Sequence, residues 1–103
     1  MTARIAIPTA GIATFCERWQ VTEMALFGSV LRDDFGPDSD IDVLVAFEDG
    51  ARHTLLDLVR MEEELKALFG RQVDLAERVG IETSRNYIRR RAILQSAETI
   101  YAA

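Results

Sequence analysis

The run Asp40-Ile41-Asp42-Val43-Leu44-Val45 constrains this chain more than any other stretch. Aliphatic and β-branched residues that follow the turn-forming cluster Pro37-Asp38-Ser39 predict a β-strand. The two-residue period of a strand sends alternate side chains to opposite faces. Asp40 and Asp42 then share one face, while Ile41, Val43 and Val45 point to the other, toward a core. Acids at i and i+2 stand roughly 6.5 Å apart at Cα. Their oxygens can converge on a hard divalent cation, for which Mg²⁺ is the natural candidate. Without a cation, like charges this close raise each other's pKa.

Upstream, the apolar segment Met24 to Phe27 runs into Gly28-Ser29. A glycine lets backbone approach a ligand closely, and a helix starting near Ser29 would aim free N–H groups at a phosphate. Strand, phosphate-binding turn, return loop and acid-bearing strand are the parts needed to transfer a nucleotidyl group from a metal-bound triphosphate. Gly-Ser alone commonly marks a plain turn. The whole spacing, Gly28-Ser29-x10-Asp40-x-Asp42, arises by chance in a chain of this size roughly once in a thousand.

The remaining residues read as scaffold. Pro8 opens a helix whose stripe is Ile12, Phe15, Cys16 and Trp19, and Val21 to Phe27 ends in a strand. Thr54 and Asp57 resemble a capping box for a helix marked by Leu55, Leu58, Val59, Leu65, Leu68 and Phe69, which Gly70 stops. Glu62-Glu63-Glu64 is expected on its wet side. Gln72 to Ala76 predicts a third strand in which Asp74 interrupts an otherwise buried-looking segment. Beside the Asp40/Asp42 strand, Asp74 would complete a carboxylate triad able to bind metal and accept a proton; alone, it reads equally as an acid that blunts a sheet edge. Asn86 to Ala97 predicts a closing helix with Tyr87, Ile88, Ala92, Ile93 and Leu94 on its apolar side, followed by Thr99-Ile100-Tyr101 as an edge strand or helix end.

Composition narrows the classes. With 103 residues, 49% hydrophobic and 28% charged, residues 1–103 are expected to form a single domain around one modest core. No apolar run reaches membrane-spanning length, and Met1-Thr2-Ala3-Arg4 leads into no signal-peptide pattern, so the expected location is cytoplasmic. One cysteine, Cys16, and one histidine, His53, assemble neither an intrachain disulfide nor a Cys/His zinc site. Cys16 is expected in the core and His53 on the surface. Net charge is −5, and the acid-rich stretch from Asp33 to Glu64 would repel a nucleic-acid backbone. The balance reverses after Arg71, where Arg89-Arg90-Arg91 reads as a solvated helix face or as a patch for an acidic ligand.

Gly28-Ser29, Arg32 and Asp38-Ser39-Asp40-Ile41-Asp42-Val43-Leu44-Val45 together resemble the signature of polymerase-β-type nucleotidyltransferases, and most of all their minimal (MNT) branch. The family carries Gly after the matching Arg, where this chain has Asp33. The resemblance implies an α/β fold, a small mixed β-sheet with helices packed mainly on one face. It implies two Mg²⁺ ions on Asp40, Asp42 and Asp74, with Asp74 as the base. It further implies a triphosphate, ATP as substrate, cradled by Gly28 and Ser29 and neutralised by Arg32. Because larger relatives add domains to bind the acceptor, a partner must present the hydroxyl. The MNT resemblance implies an antitoxin that transfers AMP to a tyrosine of a HEPN-type ribonuclease toxin. Two other readings stay open: an antitoxin that acts by contact alone, and a small-molecule nucleotidyltransferase with a separate acceptor subunit.

Overall fold

A computed structural model describes residues 6–32, 35, 36 and 38–103. Helix α1 (Thr9–Trp19) follows Pro8 and ends at Gln20, whose positive φ of 61° turns the chain into strand β1 (Val21–Phe27). A single 3₁₀ turn (Gly28–Leu31) and the loop beyond it lead to strand β2 (Ile41–Phe47). Helix α2 (Leu55–Phe69) crosses back to strand β3 (Val73–Glu77), and the short helix α3 (Arg78–Glu82), helix α4 (Tyr87–Ser96) and strand β4 (Glu98–Ala102) complete the order. The sheet order is β3-β2-β1-β4, with β2 and β3 parallel and the other pairs antiparallel, which makes the mixed sheet expected from the sequence.

Helix α2 forms for local reasons. Thr54 Oγ1 accepts from the Asp57 N–H at 3.1 Å and Asp57 Oδ2 accepts from the Thr54 N–H at 3.0 Å, so the expected capping box is reciprocal. Gly70, with φ +69°, ends the helix. The crossover through α2 allows β2 and β3 to run parallel.

The two long helices cover one face of the sheet. There Ile12, Phe15 and Cys16 of α1, Met61 and Leu65 of α2, Met24 and Leu26 of β1, and Ile41, Val43 and Val45 of β2 form the main core. The alternation expected for β2 holds: Ile41, Val43 and Val45 are buried on this side. On the other face Ala25, Phe27 and Leu44 meet Ile81 of α3 and Ile93 of α4 in a smaller cluster. Asp42 stands between Ile41 and Val43 and pairs with Phe27, which puts it on that second face, where the covering helices are short.

Several expectations are corrected by packing. Leu55 and Val59 stay 79% and 52% exposed, while Met61 is fully buried, because α2 meets the sheet along a narrower line than its apolar stripe. Glu62 and Glu64 are not simply a wet face: Glu62 accepts the Leu75 N–H at 3.2 Å, capping the open edge of β3, and Glu64 takes Trp19 Nε1 at 3.2 Å and Arg18 at 2.9 Å. His53 is half-buried: its Nε2–H donates to the Trp19 carbonyl at 2.8 Å, and its ring packs on Phe47 and Trp19. Tyr87 and Ile88 are exposed, leaving Ile93 as the buried residue of α4. Residues 99–101 belong to an edge strand, β4. Among the described residues no helix is long and apolar enough to cross a membrane.

Candidate active site

Strand pairing brings the predicted acids together. Asp42 of β2 and Asp74 of β3 are direct register partners across the parallel pair, so their side chains leave the same face of the sheet as neighbours. Asp40 immediately precedes β2 and is exposed, as is Asp74, whereas Asp42 is half-buried. The electrostatics follow. Burial pushes the Asp42 carboxyl above its ordinary range, the charges of Asp74 and then Asp40 push it further, and Arg32 and Arg89 pull it partly back.

Gly28 sits directly against this cluster. Its φ is +76°, a region that L side chains rarely adopt, and a Cβ placed there would lie 2.3 Å from Asp42 Oδ2. The sequence points to glycine for close approach to a phosphate. In the structure the Asp42 carboxylate already occupies the space that a side chain would need. The helix expected near Ser29 is only the four-residue 3₁₀ turn Gly28–Leu31, and Arg32 is extended, its N–H donating to the Ser29 carbonyl at 2.9 Å. A turn this short contributes local N–H groups rather than the dipole of a long helix. The departure at Asp33 and the turn residue Pro37 lie outside the described residues.

The loop that delivers Asp40 has its own support. Arg71, between α2 and β3, donates to the Gly36 carbonyl and lays its guanidinium 4.2 Å over the Phe35 ring. Ser39 closes the loop on Gly36 through its hydroxyl at 3.1 Å, and the Ile41 N–H donates to the Gln72 carbonyl at 2.9 Å. Arg71 is thus a positioning residue that sequence reasoning counted only as a charge. Its contacts are 35 residues away in the chain, and no local pattern marks them. Arg89, which the sequence placed in a basic cluster read as a solvated face or a patch for an acidic ligand, attracts Asp42 from α4.

Beside Gly28 a cleft of about 390 Å³ opens between the 3₁₀ turn and α4, lined by Phe27, Gly28, Arg32, Ala92, Ile93 and Ser96 among others. An acid cluster beside an apolar-walled cleft whose charged lining residues are Arg32 and Glu98 suits a ligand with a polyphosphate and a flat organic group. Among the described residues, no three His, Cys, Asp or Glu side chains are arranged as a metal cage. Mg²⁺ does not need one, because it takes one or two carboxylates and completes its octahedron with water and phosphate oxygens. Carboxylates that repel one another on a single face fit an ion that arrives with a nucleotide.

Residues 12–96 match the family model described as nucleotidyltransferase domain. The chain is 38% identical over 78 residues to the protein adenylyltransferase MntA of Thermococcus cleftensis, which covers 76% of this chain and 77% of that protein. Among solved structures it is similar to one described as a minimal nucleotidyltransferase, with 34% identity, a TM-score of 0.66 and coverage of 87% of this chain and 86% of that one. It also superposes on a chain of a toxin-antitoxin complex with AMP-PNP, at a TM-score of 0.68 and 14% identity over 92% of this chain and 73% of that one. A third neighbour, at a TM-score of 0.62 and 13% identity over 93% and 71%, comes from the tri-AMPylated HEPN toxin of Shewanella oneidensis in complex with its MNT antitoxin. At 13–14% identity these last two show the fold alone.

Proposed function

The chain belongs to the nucleotidyltransferase domain family, and from that premise we propose that it transfers AMP from ATP to a hydroxyl of a partner protein, a tyrosine of a HEPN-type toxin. The observation that carries this reading is the register pairing of Asp42 with Asp74, with Gly28 pressed against Asp42. The protein adenylyltransferase activity named for the Thermococcus relative supports AMP as the transferred group. The HEPN toxin named in the Shewanella complex supports the kind of partner.

In this reading Asp40 and Asp42, with Asp74 beside them, would hold Mg²⁺. Bound there, the metal neutralises phosphate charge and orients the in-line displacement. The Gly28-Ser29 turn offers backbone N–H groups to phosphate oxygens, and Arg32 adds a cation on the same side of the cleft. Asp74 is exposed to an incoming partner, and it accepts the proton as the tyrosine oxygen bonds to the α-phosphorus and pyrophosphate leaves. The acids are held by paired strands and the Asp40 loop by Arg71, so the catalysis rests on positioning and preformed electrostatics.

The test is incubation of the chain with ATP, Mg²⁺ and a HEPN-type toxin, taken from the neighbouring gene if that gene encodes one. Intact mass should rise by one or more AMP units on a toxin tyrosine, and Asp74→Asn should keep its fold and lose the transfer. A contact-only antitoxin is favoured by one observation, the exposed Leu55, Leu56 and Val59 on α2. If Asp74→Asn and the Asp40→Asn/Asp42→Asn double variant neutralise the toxin fully with no mass added, contact is the function and transfer is not.

A further inference from the structure

The basic cluster Arg89-Arg90-Arg91 divides in the structure. Arg90 turns back onto α3 and the loop after it, donating to the carbonyls of Glu82 at 3.3 Å and Ser84 at 3.4 Å. Arg91 stands about 200° around the helix from Arg89. Arg89 belongs to another stripe: Arg89, Ala92, Ile93 and Ser96 are spaced i, i+3, i+4 and i+7 on α4. The last three line the cleft together with Gly28, Arg32 and Glu98, and helix spacing puts Arg89 on the same stripe one turn before Ala92 and Ile93. Its backbone is fixed by Asn86, whose side-chain oxygen accepts the Arg89 N–H at 3.2 Å. Its attraction for Asp42, the acid that a Cβ at Gly28 would meet, agrees with that placement. A triphosphate placed at the acids adds negative charge to a spot that already holds Asp40, Asp42 and Asp74, and cations on both sides of the cleft would offset it.

We propose that Arg89 is a second polyphosphate-binding residue, gripping the nucleotide beyond its α-phosphate from the α4 side of the cleft while Gly28, Ser29 and Arg32 hold it from the sheet side. This rests on the nucleotidyltransferase reading above. Phe27 of β1 and Ile93 of α4, far apart in the chain, belong to the same buried cluster and both line this cleft.

The experiment is calorimetric titration of the full chain with ATP, ADP and AMP in the presence of Mg²⁺, without any acceptor. Arg89→Ala should weaken ATP and ADP about tenfold, the loss of one charged hydrogen-bonding partner. AMP binding should change little, Arg89→Lys should recover part of the ATP affinity, and Arg91→Ala should bind as wild type. Thermal melts of the free variants, taken alongside, exclude a folding defect. Wild-type ATP affinity in Arg89→Ala, or equal losses in Arg89→Ala and Arg91→Ala, overturns the proposal and leaves the nucleotidyltransferase reading intact. No ATP binding by the wild type removes both.

Discussion

Replacing Asp42 by Asn should make the free protein more stable and its nucleotide site useless. Asp42 and Asp74 occupy register-paired positions on adjacent strands, about 4.8 Å apart at Cα, which places their carboxylates roughly 6 Å apart. At an effective dielectric of about 20, two like charges at that distance repel by about 3 kcal/mol. Asp42 is only half-buried and Asp74 is exposed, so screening reduces this to about 1 kcal/mol. Burial of the charged form of Asp42 acts in the same direction, and the attractions of Arg32 and Arg89 oppose it. A gain of about 1 kcal/mol corresponds to a rise in Tm of roughly 4–8 °C for a chain of this size.

The pH dependence gives the diagnostic. The folded-state pKa of Asp42 lies above its ordinary value of 3.8, so ionisation is disfavoured in the folded protein. The resulting cost is fully present above the raised pKa and disappears once pH falls below 3.8. The advantage of Asp42→Asn should therefore be full at pH 7 and fade as pH drops through the carboxylate range. Denaturant melts at several pH values measure it, and repeats with Mg²⁺ and ATP supply the second arm. Wild type should gain about 2.7 kcal/mol at a hundredfold excess over Kd, and the variant should gain nothing. A variant less stable than wild type at pH 7, or an advantage unchanged at pH 3, would refute the assignment of Asp42 to a frustrated acid cluster.

Gly28→Ala and Gly50→Ala both force alanine into positive φ, at 76° and 83°, which should cost at least about 1 kcal/mol at each, and the contact with Asp42 adds to the cost at Gly28. Only the first pushes against Asp42, since nothing lies within 4 Å of Gly50, so only Gly28→Ala should lose Mg²⁺-dependent ATP binding; equal binding by the two would remove Gly28 from the site. Arg71→Ala releases Gly36 and Phe35 and should weaken ATP binding several-fold by loosening the Asp40 loop, whereas wild-type affinity would show that the loop holds itself. Burial pushes the Cys16 thiol up to about 12, so iodoacetamide at pH 8 should modify it only through opening of the fold. Modification as fast as that of a free thiol in the native state would contradict its burial.

What the sequence determined by itself is local. Thr54, Asp57 and Gly70 mark the ends of α2 because caps act within one helical turn. Ile41, Val43 and Val45 declare the buried face of β2 because alternation is a property of one strand. The spacing from Gly28-Ser29 to Asp40 and Asp42 marked the candidate site because a short return loop ties both to one hairpin-like unit. Asp74 could be read only as a candidate, since its weight depends on a parallel register that α2 creates across more than thirty residues. Glu62 on the β3 edge, His53 under Trp19 and Arg71 behind the Asp40 loop were likewise decided by tertiary structure. A polar side chain carries no local mark of the distant backbone or carboxylate it will meet. Leu55 and Val59 show the converse: helical periodicity reveals an apolar stripe, but the width of the surface it meets decides how much of that stripe is buried.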